Sequence, residues 1–359
     1  MPKKRSLLAG AAIFLAGALA LSACASSAEE PTTGSGGGEQ PTTAPVEPVK
    51  LTYAFFAPAA SFPAVQMEKW AEELSARTDG QVEVELFVGS TLLGSGDIYD
   101  GVLQGVADVG LDSPAYDTER FAFSSVINVP LGFQNAQTAS KTFLDLLLEY
   151  DPAEFQDFQI ITAFTTEPAF LQTLQPVTSS ADLSGQTMRG AGALVPLLSE
   201  LGANPVGQPM PQVGEGLATG TITGYTSSRE VLRDFGLAEQ VNYVTNFALS
   251  ISNSFVAVMD KAKFDALPQN VKDVILELRE EMSEFASSSH DLEGVGAAIE
   301  YAEGLGVEFV NLADGEEAQW QEVLDRQAAA WLERNAGNAS FNADEVLDRA
   351  RQLAQQNAR

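Results

Sequence analysis

The sequence predicts an α/β protein of two lobes, with a cleft between them. Three observations predict it. Segments patterned as strands alternate with segments patterned as helices, and the alternation starts again near Gln159. The part of the chain rich enough in apolar residues to fold starts near Val49 and runs for about 310 residues, more than one typical core accommodates. Alternating strands and helices imply parallel βαβ units, whose ligands bind beyond the carboxyl ends of the strands.

Taken in order, Lys50 to Phe56 reads as a strand. Ser61 to Arg77 reads as a helix, with Met67, Trp70, Ala71 and Leu74 on one face and Gly80 closing it. Val82, Val84 and Leu86 alternate with Glu83 and Glu85, as in a half-buried strand. A Gly-rich loop, Gly89 to Gly96, a helix over Asp97 to Gln104 and a strand over Asp108 to Leu111 follow. The second round offers strands at Gln159 to Phe164, Phe170 to Leu174, Gln186 to Arg189 and Thr221 to Tyr225. Helices are expected over Ala193 to Leu201 and Gln212 to Thr219, and another strand over Asn253 to Met259. After Pro268, one apolar stripe (Val271, Val274, Ile275, Leu278, Met282, Phe285, Leu292, Val295, Ile299, Ala302) predicts a helix of about 35 residues, long enough to cross more than one lobe. No repeat of about 20–50 residues is present.

The first 48 residues have a different composition. Lys3, Lys4 and Arg5 precede an uncharged apolar run from Leu7 to Leu21, which leads into Leu21-Ser22-Ala23-Cys24. That is a secretory signal, and its apolar run falls short of the ~20 residues a membrane-spanning helix needs. Leu-Ser-Ala-Cys has the form of a lipobox, whose thiol is acylated before cleavage. An ordinary signal with a chance cysteine is the alternative, but Cys24 is the only Cys in the chain and can form no internal disulfide. From Ala25 to about Pro48 the chain is dominated by Ser, Gly, Pro, Thr and Glu, a composition that buries too little to fold and reads as a tether. The expectation is therefore an extracytoplasmic protein held at the cell membrane by lipid on Cys24.

Net charge is −29, which removes the basic footprint nucleic-acid binding needs. With one His (His290) and one lipidated Cys, a His-based triad, a His-rich zinc site and CxxC redox chemistry are excluded or nearly so. No HExxH, GxSxG, Walker or EF-hand motif is present, and no carboxylate pair stands out. His290 reads as a solvent-facing or packed helix residue. The best-placed cation is Arg189, which ends a short strand and runs into Gly190-Ala191-Gly192. A guanidinium there can grip a carboxylate through two parallel hydrogen bonds. From residue chemistry alone, pairing with a nearby acid is an equal alternative.

Several segments together resemble the substrate-binding subunit of a TRAP (tripartite ATP-independent periplasmic) transporter, a family often labelled dicarboxylate-binding. They are Leu51-Thr-Tyr-Ala-Phe-Phe-Ala-Pro, Trp70-Ala-Glu-Glu-Leu and Gly80-Gln-Val-Glu-Val-Glu-Leu-Phe, then Leu103-Gln-Gly-Val-Ala-Asp108-Val-Gly. Leu183-Ser-Gly-Gln-Thr-Met-Arg189 with Leu201-Gly-Ala-Asn-Pro-Val, and Lys261-Ala-Lys-Phe-Asp-Ala-Leu-Pro268, complete the set over roughly Leu51 to Gln321. The resemblance implies a two-lobed periplasmic-binding-protein fold with crossing strands and a long hinge-spanning helix. It implies that the lobes close on a small organic carboxylate held by Arg189, that no cofactor is needed, and that membrane permease subunits are the partners. A monomer is expected.

Departures from the family pattern refine these expectations. Gly216 to Gly224 carries Thr223 where the family commonly has Asp, and Gly214 where an aromatic is common. Some members have a second arginine after the lobe crossover, where this chain has Glu167-Pro168-Ala169-Phe170. One arginine suits a monocarboxylate better than a dicarboxylate. By position, the other candidate ligand contacts are Phe56, Ser113, Phe170, Tyr225, Ser227, Ser228 and Phe255. The expected division is signal 1–23, lipidated Cys and linker 24–48, first lobe 49–166 plus about 252–290, and second lobe with C-terminal helices 167–251 plus about 291–359. A ligand sensor feeding a kinase, or an extracellular enzyme of the same shape, would use a similar fold. The motif search gives the enzyme little support.

Overall fold

The computed structural model describes residues 48–192 and 194–358. The signal, Cys24 and nearly all of the tether lie outside the described residues. Strands β1 (Val49–Phe55), β2 (Val82–Phe87), β3 (Val109–Asp112) and β4 (Phe158–Thr165) take the chain through the first lobe. The second lobe follows with β5 (Phe170–Thr173), β6 (Thr187–Gly190), β7 (Asn204–Gly207), β8 (Gly224–Ser227) and β9 (Tyr243–Thr245). The chain returns to the first lobe as β10 (Ser254–Asp260) and to the second as β11 (Glu308–Val310). The two sheets run β2-β1-β3-β10-β4 and β11-β9-β5-β8-β6-β7.

In the first sheet β1 is parallel to β2 and β3, while β10 is antiparallel to β3 and β4. Strands β3, β4 and β10 are buried on both sides. One face carries Met67, Trp70 and Leu74 from the helix Phe62–Arg77, together with Val271, Ile275 and Leu278 from the helix Gln269–Ser289. The other face carries Phe143 and Leu147 from the helix Ala136–Tyr150, covered in turn by Val346, Leu347 and Ala350 from the helix Ala343–Asn357. Each side chain of this size contributes about 1.5–3 kcal/mol when fully buried.

That covering helix corrects the expected division. Residues 343–357 pack on the first lobe, although sequence order groups them with the second. The preceding helix, Glu316–Arg334, makes the transfer. Trp320, Val323 and Leu324 belong to the second-lobe core, and Trp331 to the first. At 19 residues it is about 28 Å long, enough to reach from one lobe to the other.

Two extended segments cross between the lobes side by side. Thr166 N–H donates to Asn253 O at 3.1 Å, Ala169 N–H to Ser250 O at 2.9 Å, and Pro168 bridges Ile251. The long helix crosses beside them. It runs as Gln269–Ser289, a π-turn over His290–Gly294, and Val295–Gly304. Its buried positions are 271, 275, 278, 282, 283, 286, 287, 290, 294, 295, 298 and 302, and the π-turn widens the helix by one residue at His290–Gly294. Leu292, expected to face the core, lies within the π-turn and is 77% exposed. Among the described residues no helix is long and apolar enough to cross a membrane.

Candidate functional site

Arg189 is wholly buried. It lies in β6, which pairs in parallel with β8 so that Arg189 is opposite Tyr225. Its Nε donates to Gln208 O at 2.7 Å and its Nη1 to Thr226 O at 3.1 Å. Nη2 has no partner in the described chain. Burial pulls the guanidinium below its usual pKa, and the groups that oppose this are the Tyr116 and Tyr225 hydroxyls rather than any carboxylate. Its pairing with a nearby acid is thus not what the structure shows. A buried cation without a counter-ion is costly, and a ligand carboxylate would relieve it.

The glycines after Arg189 do not clear space for a ligand, as their smallness first suggests. A Cβ on Gly190 would press on the backbone of the helix Leu194–Glu200, 3.3 Å from the Leu194 carbonyl carbon and the Val195 nitrogen. A Cβ on Gly192 would overlap the Ala115 carbonyl oxygen of the first lobe, and its φ of +23° is one a side chain rarely adopts. Gly192 therefore lets the two backbones meet across the cleft. Nearby, Met210 N–H of the second lobe donates to the Tyr116 hydroxyl of the first at 3.3 Å. The lobes are closed on each other here.

Between them lies a small cavity of about 20 Å³ on which six rings converge. Phe55, Phe56, Phe62 and Tyr116 come from the first lobe, Phe235 from the second, and Phe255 and Asn253 from the returning crossover. Phe56 contacts Tyr116 and Phe255 at centroid distances of 5.8 and 6.4 Å. Phe55 sits among these rings because the bend after β1 turns the chain into the helix that starts at Phe62, with Pro63 in its first turn. Apolar rings with a few polar groups are the usual lining of a small-molecule site.

The structure brings Phe56 and Phe255 to this cavity and Arg189 beside it, next to Tyr116. Ser227 shares the sheet face of Arg189 and Tyr225, and its buried Oγ has no partner. Other candidates are engaged by groups of the protein. β8 begins at Gly224, so Tyr225 is an interior strand residue; its hydroxyl donates to Gln172 Oε1 at 2.5 Å within the second-lobe core. Ser228 Oγ donates to Glu230 Oε1 at 2.8 Å, and Ser113 Oγ lies 3.5 Å from Asn253 Oδ1. Phe170 packs under Arg229, whose guanidinium carbon is 4.2 Å from the ring centre. Arg229 in turn forms a two-pronged pair with Glu167, Nε to Oε1 at 3.0 Å and Nη2 to Oε2 at 2.7 Å.

Sequence reasoning missed Tyr116, Phe62, Met210, Glu230 and Asp234, all of which border the cavity. Phe62 and Tyr116 follow β1 and β3, and position alone would have found them. Glu230 and Asp234 belong to a helical turn after β8 that the sequence pattern does not mark. His290 is neither exposed nor simply packed. It is fully buried at the π-turn, its Nε2 3.1 Å from Glu230 Oε2 and its Nδ1 3.2 Å from Asp291 Oδ1, with its ring edge-on to Phe62 at 4.7 Å. Burial opposes its charge, but Glu230, Asp291 and Glu167 outweigh burial and push its pKa up to about 10.

Asp112, at the end of β3, anchors the Gly-rich loop by accepting from Gly96 N–H at 2.9 Å and Ser113 N–H at 2.8 Å. Burial nonetheless pushes its pKa up to about 7.

Comparison with known proteins agrees with this architecture. The family model described as bacterial extracellular solute-binding protein, family 7, matches residues 55–335. The chain is similar to a TRAP periplasmic solute-binding protein of Desulfovibrio salexigens DSM2638, at 35% identity and a TM-score of 0.75, covering 86% of this chain and 96% of that one. It is also similar to a TRAP solute-binding protein of Rhodoferax ferrireducens T118 seen with copurified benzoate, at 25% identity and a TM-score of 0.81, covering 86% and 98%. A solute-binding protein of Roseobacter denitrificans is 26% identical over 181 residues, 49% of this chain and 55% of that one, so the match spans just over half of that relative's length.

Proposed function

Because the chain belongs to the bacterial extracellular solute-binding proteins of family 7, we propose that it captures a small organic monocarboxylate between its lobes for a TRAP permease. Members of this family are transport proteins that bind solutes; they are not enzymes. The observation that carries the proposal is Arg189, a buried guanidinium with no carboxylate partner and a free Nη2. The ligand carboxylate accepts from Nη2, with the Ser227 hydroxyl and Gln208 Nε2 as further unpartnered polar groups to complete its shell. The rest of the ligand lies among Phe56, Phe62, Phe255 and Tyr116. A ring-walled cavity favours an aromatic or cyclic acid, and the benzoate of the Rhodoferax protein supports that choice.

In this reading Cys24 carries the lipid, and the chain works at the outer face of the cell membrane on a tether of about 24 residues. Anchoring keeps its concentration high beside the permease. Mass spectrometry of the membrane-extracted protein would check it: a diacylated N-terminal Cys24 is expected, and an unmodified thiol contradicts it.

A thermal-shift screen of monocarboxylates tests the main proposal. A ligand present at about 100 times its Kd stabilises by about 2.7 kcal/mol. Aromatic monocarboxylates are expected to raise the melting temperature by several degrees; no response to any organic acid contradicts the proposal.

A further inference from the structure

Resting on the reading of Arg189 as the carboxylate holder, we infer that Glu230 and Asp234 set the selectivity of the cavity: they turn away ligands bearing a second carboxylate and accept a hydroxyl or N–H donor. Both residues are buried, and both border the cavity alongside Phe62 and Phe235. Their cationic partners stand behind them. His290 meets Glu230 at 3.1 Å and Arg233 meets Asp234 at 3.1 Å, yet neither cation lines the cavity. The cavity therefore presents carboxylate oxygens along this wall, while Arg189 lies outside its lining beside Tyr116.

The remaining charges near this side do not reverse that polarity. Glu167 and Arg229 are bound to each other, and Asp291 is paired with His290 Nδ1. Arg233 Nε and Nη2 hydrogen-bond Asp234 Oδ1 at 3.2 and 3.1 Å. Burial, then the charge of Glu230, pushes Asp234 up to about 6 despite these donors, consistent with a site that resists further negative charge. Among rings that exclude water, a second ligand anion beside two carboxylates has little to screen it. A hydroxyl or N–H in the same place donates to a carboxylate oxygen that keeps a free lone pair. Selectivity of this kind comes from a repulsive element as much as from the attractive one at Arg189.

Calorimetry on the full chain with matched probes tests this. Benzoate is compared with benzene-1,3-dicarboxylate, pentanoate with glutarate, and 3-hydroxybenzoate is added to the first pair. Each dicarboxylate is expected to bind at least tenfold more weakly than its monocarboxylate, and 3-hydroxybenzoate at least as tightly as benzoate. Asp234→Asn should narrow the mono-to-dicarboxylate ratio at least threefold, with Glu230→Gln as a second variant should the first fail to fold. Dicarboxylates that bind as tightly as their partners, or a ratio unmoved in a folded variant, overturn the inference and leave the reading of Arg189 standing. Binding of neither monocarboxylate overturns that reading instead.

Discussion

Two arginines of the second lobe make opposite use of the same charge. Arg229 lies over Phe170 and is held by both oxygens of Glu167, so its charge is answered within the protein. Arg189 is the more deeply buried of the two, yet among the described residues its polar neighbours are carbonyls and tyrosine hydroxyls. Burial alone therefore does not mark a functional charge. In the proposed reading the mark is burial without a counter-ion, because such a charge costs stability until a bound anion answers it.

The largest expected effect follows from that contrast. Arg189→Met, which keeps most of the buried volume, should weaken monocarboxylate binding by about a hundredfold, about 2.7 kcal/mol, with little change in the stability of the ligand-free protein. Arg229→Ala should do the reverse. It strands Glu167, whose side chain is 6% exposed, and should lower stability by about 2–3 kcal/mol with less than a tenfold change in affinity. Calorimetry and chemical denaturation on both variants check the pair; equal losses of stability would break the comparison.

A smaller effect is expected at the lobe contact. Gly192→Ala should hold the lobes apart, because the new methyl meets Ala115 of the opposite lobe. Affinity should fall about tenfold, or about 1.4 kcal/mol, and small-angle scattering should show that ligand no longer compacts the protein. Unchanged affinity and compaction would mean that the lobes close differently.

The smallest effect is on pH dependence. Asp112 is raised to about 7, as is Glu154, which accepts from the Phe123 and Ser124 N–H groups, and Asp234 is raised to about 6, in each case first by burial. These carboxyls bind protons more readily in the folded chain than in the unfolded one, so stability falls as pH rises from about 4 to 7. His290, raised to about 10, stabilises fully below its unfolded pKa near 6.5 and loses that contribution as pH climbs toward 10. All four point the same way. Melting should occur a few degrees higher at pH 5 than at pH 8, and the opposite order contradicts these assignments.

Much of the fold was legible because strands and helices with one buried face carry their period in the residues. β1, the helix from Phe62, β2, β4 and the long helix after Pro268 fall within a residue or two of their expected positions. Where the period breaks, legibility breaks with it. The π-turn at His290 is invisible to a 3.6-residue template, and Leu292 lies within it, exposed. β8 starts three residues later than its pattern suggests, because Thr221, Ile222 and Thr223 favour a strand as strongly as the residues that form it. The attachment of the helix Ala343–Asn357 to the first lobe is a long-range choice between two apolar surfaces, which sequence order cannot reveal.

The site divides along the same line. Arg189 stood out because strand ends and cations are visible locally, and Phe56 and Phe255 because they flank strands. Tyr116, Glu230 and Asp234 reach the cavity only when the lobes come together, and whether a buried charge is answered depends on residues far away in the chain.

A crystal structure of the protein with bound benzoate tests the central claim most directly. The account predicts a carboxylate oxygen about 2.7–3.0 Å from Arg189 Nη2, with the ring lying among Phe56, Phe62 and Phe255. Benzoate bound away from Arg189, with Nη2 turned instead to a group of the protein, would contradict it.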